Sequence, residues 1–372
     1  MKILNLIWKF TTGGIGKCFL SYAQCSNIDN DIDIVSTCID PQSFNYDRSA
    51  LISNNIHIIS IKNRKDFSWI KKTYEYIKET QPDIIFTHGT YGAIIIEILK
   101  LRYSTIRKIP LVVSFHGLYN PPTRKTALLT TPLNKITAWI CKYRADKVVV
   151  VSKFAGEYLL KNGVNQQKLE VVYNGLPQHS QCDSDIKLPK DIIKIGFVGR
   201  IDEIKGLEYL LEALYNLKER ISIPFCLYII GDGPHTPHLK KIVKEFNLER
   251  NVNFVGYQSN ITSWLNAWDI FVLPSLQENH SVALLEAMRA GKAIICTNVG
   301  GNPETVTHEK EALIVPSKDA QSIENALYRL INSQELRDTI GTNAHKRFIS
   351  FFTEEQTLKS LIEVFKNLKN GL

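Results

Sequence analysis

The chain is expected to fold as α/β, in two Rossmann-like domains that each hold a parallel sheet. Three observations carry that expectation. Apolar strand patterns alternate with helical patterns along most of the chain, the rhythm of βαβ units. Several of the strands end in glycine-bearing polar loops, among them His88-Gly89, His116-Gly117 and Gly231-Asp232-Gly233. The alternation is interrupted once, over residues 177–191, a polar stretch with two prolines and no apolar period, which reads as a linker. A length of 372 residues accommodates two domains of ordinary size.

The first domain is read as residues 1–178. Lys2 to Trp8 is an apolar strand, and no signal-peptide cleavage pattern follows it. Thr11 to Lys17 is a glycine-rich turn into a helix, able to bring backbone N–H groups against a phosphate. It is not a P-loop, because Thr11 stands where glycine is required and Cys18 where Ser or Thr is. It is not a dinucleotide fingerprint either, because Phe19 fills a small-residue position. Asp31-Ile32-Asp33 spells a metal-binding D-x-D, but it precedes the strand at Ile34 to Ser36. That is the amino end, away from ligands, and it reads as a solvated strand entry.

Strands at Ile56 to Ser60, Asp83 to Thr87 and Leu111 to Ser114 then alternate with helices at Phe67 to Glu79 and Tyr91 to Leu101. His88 and His116 each follow a strand directly, at the end where α/β sheets bind ligands. Residues 119–144 set Arg124, Lys125, Lys135, Lys142 and Arg144 among leucines and Trp139. The composition suits a helix at a membrane interface, and equally an ordinary half-buried helix. A strand at Lys147 to Val151, a helix from Ser152 and a strand at Leu169 to Val172 close the domain.

The second domain is read as residues 179–372. Its strands are Ile193 to Val198, Phe225 to Ile230, Val252 to Gly256, Ile270 to Leu273 and Ala293 to Thr297. The segment after Ala312 is mostly helical. Two carboxylates stand out in FVLPSLQENHSVALLEAMRAGKAIICTNVGGNPE: Glu278 in a loop, and Glu286 within the helix expected over Ser281 to Ala290. Helical spacing would set them about 12 Å apart, roughly the reach from the sugar of a sugar nucleotide to its ribose. A helix N-terminus lies between them, with free N–H groups suited to a diphosphate. Gly199-Arg200, followed by Lys205-Gly206, sets two cations beside another helix start, where they would stabilise a departing diphosphate.

Composition sets further bounds. Seven cysteines, an odd number with no C-x-x-C pair, argue for reduced thiols and against a zinc site. No apolar run approaches the roughly 18 residues of a membrane span. Residues 1–178 carry a net charge of +10 and residues 179–372 one of −2. A basic first half fits a phosphorylated substrate, an anionic lipid surface or simply a solvated face. A nucleic-acid partner is suggested by charge alone, with no interleaved aromatic motif.

The run P-S-x-x-E, seven residues, E-A-M, an apolar strand and G-G-x-P-E resembles the signature of retaining glycosyltransferases of family four, which have the GT-B fold. V-G-R-x-x-x-x-K-G at Val198 to Gly206 and G-D-G-P at Gly231 to Pro234 resemble further motifs of that family. The chain departs from it at Asn279-His280-Ser281, where glycine often follows the first glutamate. The resemblance implies two Rossmann-like domains facing across a cleft, the first binding the acceptor and the second the nucleotide sugar. The last helix, about 354–368, would cross back to the first domain.

By the same resemblance, Arg200 and Lys205 hold the diphosphate, helped by the N–H groups of Ser281 and Val282. Gly13 and Gly14 approach it, Glu278 holds sugar hydroxyls, Glu286 the ribose, and Tyr257 lies in the loop passing the base. His116 is placed near the donor sugar and acceptor; His88 has no such match. The implied reaction moves a sugar from a nucleotide donor, expected to be a UDP-sugar, to a hydroxyl. The acceptor is expected to be a lipid-linked saccharide in cell-surface polysaccharide biosynthesis, at the inner face of the cell membrane. Neither cofactor nor metal is expected. A GT-B epimerase and a non-catalytic sugar-nucleotide or glycan-binding module are the alternatives. A phosphorylase is disfavoured by the lack of a pyridoxal-lysine context.

Overall fold

The computed structural model describes residues 1–10, 14–41, 49–63, 66–117, 124–179 and 186–371. They form two compact units. One comprises Met1–Gly175 with Glu354–Leu372, the other Leu176–Thr353.

The first unit is built on a seven-stranded sheet. Its strands are β1 Lys2–Ile7, β2 Asp33–Pro41, β3 His57–Ile61, β4 Ile84–His88, β5 Leu111–Phe115, β6 Lys147–Val150 and β7 Leu169–Val171. They lie in the order β3-β2-β1-β4-β5-β6-β7, every pairing parallel. A parallel sheet covered on both faces demands near-continuous apolar strands, and β4 and β5 are buried throughout. One face packs beneath the helices Gly89–Arg102 and Arg124–Tyr143, through Ile95, Ile96, Leu99, Ile140 and Cys141. The other is covered by the helix Glu354–Asn370, whose Leu358, Leu361, Ile362 and Phe365 join Ile3, Ile84, Phe86 and Val112 in one core. Lys366 Nζ to Asp29 at 2.5 Å and Lys369 Nζ to Asp83 at 3.5 Å pin that helix at its rim.

The second unit carries six parallel strands: β8 Ile193–Val198, β9 Phe225–Ile230, β10 Val252–Gly256, β11 Ile270–Leu273, β12 Ala293–Thr297 and β13 Leu313–Val315. Their order is β10-β9-β8-β11-β12-β13. In both sheets the order reverses beside the first strand, between β1 and β4 and between β8 and β11. Loops beyond the carboxyl ends of such a pair splay apart and make the ligand crevice of a doubly wound sheet.

The α/β class and the parallel sheets are as expected from the sequence. Two elements differ. β2 runs to Pro41, well past Ser36. β13, only three residues long, lies in the segment expected to be mostly helical, and is too short to show a period of its own. Asp31 and Asp33 are exposed at the amino end of β2, and Asp33 pairs with Lys2 at 3.9 Å. Among the described residues no three His, Cys, Asp or Glu side chains group as a metal site. None of the described helices is long and apolar enough to cross a membrane.

Candidate active site

In the second unit the loops after β8 and β11 meet at the point where the strand order reverses. Leu276 N–H donates to Ile204 O at 2.7 Å, joining the two loops. Gly206 is left-handed at φ +61°, and a Cβ there would lie 2.3 Å from Pro274 O. Only glycine permits both that backbone and that approach. The junction places Lys205 Nζ 2.7 Å from Glu278 Oε1. Ser275 Oγ donates to the same carboxylate oxygen at 2.7 Å. Thr297 Oγ1 donates to Ser275 O at 2.6 Å, and Asn302 Nδ2 to Thr297 O at 3.1 Å. The Glu278 side chain, 9% exposed, is thus held by a chain of hydrogen bonds reaching back to β12. A buried carboxylate of this kind needs its cation and hydroxyl partners.

Arg200, on the same β8 loop, is 63% exposed, with its Nε 3.5 Å from Asp202 Oδ2. Its guanidinium is held loosely and can turn to an incoming anion. Ser281 caps the helix Val282–Arg289, its hydroxyl accepting from Leu284 N–H at 3.4 Å. Val282 is the first helical residue, so the N–H groups that follow point at the loop bearing Glu278. His280, at the departure from the glycosyltransferase pattern, is buried with its ring 5.6 Å from that of Phe352. Burial pushes its imidazole down to about 3.

Glu286 is buried and borders a cavity of about 220 Å³, shared with Thr262, Asn266, Arg289, His179 and His345. Arg289 donates to Pro177 O at 3.2 Å and to Thr262 Oγ1 at 3.4 Å. Its burial lowers its pKa against the opposing Glu286 carboxylate. The structure therefore joins Lys205 directly to Glu278, and gives Glu286 a separate polar surrounding on the same helix as Ser281 and Val282. Tyr257, just past β10, is 70% exposed.

In the first unit His116 follows β5 and His88 ends β4. His88 Nδ1 lies 3.4 Å from His116 Nε2, and His88 Nε2 lies 2.7 Å from Asn5 Oδ1 on β1. The sequence reading singled out the two histidines without relating them, and missed Asn5 and Ser275. Asn5 had a visible signal, a lone amide inside an otherwise apolar strand. Ser275 had none beyond its place in the P-S-x-x-E run. Gly14 opens the helix Gly14–Tyr22; Gly13 lies outside the described residues.

The helices Gly89–Arg102 and Arg124–Tyr143 are tied by Thr137 Oγ1 to Thr90 Oγ1 at 2.9 Å and by Arg144 Nε to Glu97 Oε2 at 2.6 Å. Their solvent sides are apolar: Tyr91, Ile98 and Leu101 on one, Ile136, Trp139 and Tyr143 on the other, all exposed. Arg144 is occupied by Glu97, whereas Lys135 is exposed and Lys142 half-buried. The side chains of Arg124 and Lys125 lie outside the described residues.

Two family profiles match the chain. One, described as Glycosyl transferases group 1, covers residues 182–347; the other, Glycosyltransferase Family 4, covers residues 25–178. The chain is 26% identical over 302 residues to UDP-Gal:alpha-D-GlcNAc-diphosphoundecaprenol alpha-1,3-galactosyltransferase of Escherichia coli, across 77% of this chain and 76% of that protein. It is 28% identical over 236 residues to an uncharacterized glycosyltransferase of Methanocaldococcus jannaschii, across 61% of this chain and 60% of that protein's length. Among solved structures, Anabaena HepE in complex with UDP superposes with a TM-score of 0.81 at 18% identity, over 99% of this chain and 100% of that one. At that identity the likeness is one of fold.

Proposed function

Because the chain belongs to the group 1 glycosyltransferases and has their GT-B fold, we propose that it moves a sugar from a UDP-sugar to a hydroxyl of a saccharide acceptor, with the anomeric configuration retained. The observation that carries this reading is the Lys205–Glu278–Ser275 cluster where the strand order reverses in the second sheet. A cation and a carboxylate in contact there divide the donor between them. Lys205 and Arg200 take the diphosphate and stabilise its charge as it departs. Glu278, freed from Lys205 by the incoming phosphate, takes sugar hydroxyls. The N–H groups at Ser281 and Val282 add to the anion site. Glu286 is assigned the ribose diol, Tyr257 the base, Gly13 and Gly14 the diphosphate, and His116 a hydroxyl of the sugar or acceptor. The leaving phosphate takes the acceptor's proton on the same face of the sugar, so no covalent glycosyl-enzyme is invoked.

The UDP-Gal donor of the E. coli galactosyltransferase and the UDP in the HepE complex support uridine as the donor base. A thermal-shift screen of nucleotide sugars identifies the donor, since a ligand that binds the native state raises its melting temperature. Product analysis by NMR then reads the anomer. Inverted configuration, or epimerised donor formed without acceptor, would contradict the proposal. Two cations, Arg200 and Lys205, are assigned to the developing diphosphate charge, so transfer is expected to persist in excess chelator. Activity abolished by chelator and restored by magnesium or manganese would rule that out.

The acceptor is proposed to be lipid-linked, a precursor of a cell-surface polysaccharide met at the inner face of the membrane. The support is the paired apolar surface of the Gly89–Arg102 and Arg124–Tyr143 helices beside Lys135 and Lys142, in a half of the chain carrying net +10. Cations near an anionic surface contribute about 1 kcal/mol each and are screened by salt. Binding to anionic vesicles is expected to fall at high salt. Leu101→Ser with Trp139→Ser is expected to weaken it at least about tenfold, since each loses about 1.5 kcal/mol or more of apolar burial. Donor binding should be untouched. Equal sedimentation of parent and variant would leave a soluble acceptor as the better reading.

A further inference from the structure

Four polar side chains are buried on four adjacent strands of the first sheet: Ser36 on β2, Asn5 on β1, His88 on β4 and Ser114 on β5. Burial makes unmatched donors and acceptors costly, so the protons can be assigned in turn. Asn5 Nδ2 lies 3.3 Å from Phe19 O and 3.0 Å from Ser36 Oγ. A backbone oxygen only accepts, which holds the amide nitrogen on that side and turns Oδ1 to His88 Nε2, 2.7 Å away. Oδ1 also only accepts, so His88 Nε2 carries a proton.

Burial, with His116 nearby, holds His88 far below the ordinary histidine range, so the ring is neutral and its Nδ1 bears a lone pair. The group facing that lone pair is His116 Nε2, at 3.4 Å. Were Ser114 Oγ, 3.1 Å from the same nitrogen, to donate to it instead, His88 Nδ1 would face an acceptor. It would do so in a pocket walled by the rings of Phe19, Tyr22 and Phe86. The arrangement that satisfies both histidines puts the proton on His116 Nε2, shared between His88 Nδ1 and Ser114 Oγ. Burial also drives the His116 imidazole down to about 4, so its Nδ1 stays bare at neutral pH.

We propose that His88, seated on the Asn5 amide, is a positioning residue that sets the tautomer of His116, whose Nδ1 then offers a fixed lone pair to a hydroxyl of the sugar or the acceptor. The substrate hydroxyl donates to His116 and keeps its proton, because so weak a base orients the group without deprotonating it. The inference rests on the reading of His116 as a substrate contact, and the test separates the two.

Ring ¹⁵N spectra of the full chain, with the His116 signal assigned by its loss in His116→Gln, report the tautomer without any substrate. The parent is expected to show one His116 tautomer, protonated on Nε2, from pH 6 to 9 in round terms, well above its depressed pKa. His88→Phe keeps the ring packing but removes both nitrogens. It is expected to give a mixture of tautomers and to lower kcat about 10- to 100-fold, the size of effect seen when a metal-bound histidine loses the partner that orients it. Donor KM should move less than about twofold. A parent His116 protonated on Nδ1, or a single unchanged tautomer in His88→Phe, would overturn the proposal. The parent spectrum decides it alone if His88→Phe does not fold. Undiminished turnover in His116→Gln would instead overturn the substrate contact, while the spectrum still judges the relay.

Discussion

Arg200→Ala is expected to lower turnover about 10²- to 10³-fold, the usual cost of removing one charged donor from a developing anion, and to leave stability nearly unchanged. The side chain is 63% exposed and meets Asp202 only at 3.5 Å, an ion pair that contributes on the order of 0.5 kcal/mol or less. Lys205→Ala is expected to lose a similar factor in rate and to destabilise the fold as well. Glu278 is held at 2.7 Å by both Lys205 Nζ and Ser275 Oγ, and its side chain is 9% exposed. Without Lys205 a buried carboxylate is left with a hydroxyl partner alone, at a cost on the order of 2–4 kcal/mol. Adding Glu278→Gln to Lys205→Ala should recover much of that stability and none of the rate. Initial rates and urea midpoints on the four proteins measure this. Near-normal turnover in folded Arg200→Ala and Lys205→Ala would remove the diphosphate assignment.

Gly300→Ala is expected to cost about 2–5 kcal/mol and to cut turnover severely, from a position that need touch no substrate. Gly300 is left-handed at φ +57°, and a Cβ there would sit 1.6 Å from the backbone oxygen of Glu278. The left-handed backbone alone costs a residue with a Cβ about 1–2 kcal/mol. The overlap can be relieved only by moving the peptide that carries Glu278, at a further cost of about 1–3 kcal/mol. A lowered urea midpoint at unchanged m would report the strain. The displaced carboxylate should appear as a fall in kcat larger than the change in donor KM. A variant as stable and as active as the parent would show that the loop tolerates the shift.

The fold was legible because buried parallel strands are written as continuous apolar runs, such as Phe225–Ile230 and Ile270–Leu273, with helices between them. β13 escaped because three residues display no period. Within the site, Glu278, Glu286, Arg200 and Lys205 were visible one by one, since loops after strands and helix starts can be read locally. Their pairing was not. Lys205 and Glu278 are 73 positions apart, and their contact depends on Gly206 closing against Pro274, which no local pattern announces. His88 shows the same limit. Its meaning comes from Asn5, on a strand that becomes its neighbour only when the sheet order reverses.

The helix Glu354–Asn370 has a bearing on how the chain is made. It completes the core under β1, β4 and β5 through Leu361 and Phe365, yet it leaves the ribosome after all of Leu176–Thr353 has emerged. Until then Ile3, Ile84, Phe86 and Val112 lack their cover, while the six-stranded unit already has its whole sequence. Nascent chains fold by units as the residues become available. The later-synthesised sheet is therefore in a position to finish first, and the earlier one waits, partly open, for the seventeen residues of its core helix. Released chains truncated after Thr353 should expose this order, with protease sensitivity concentrated in the first 175 residues.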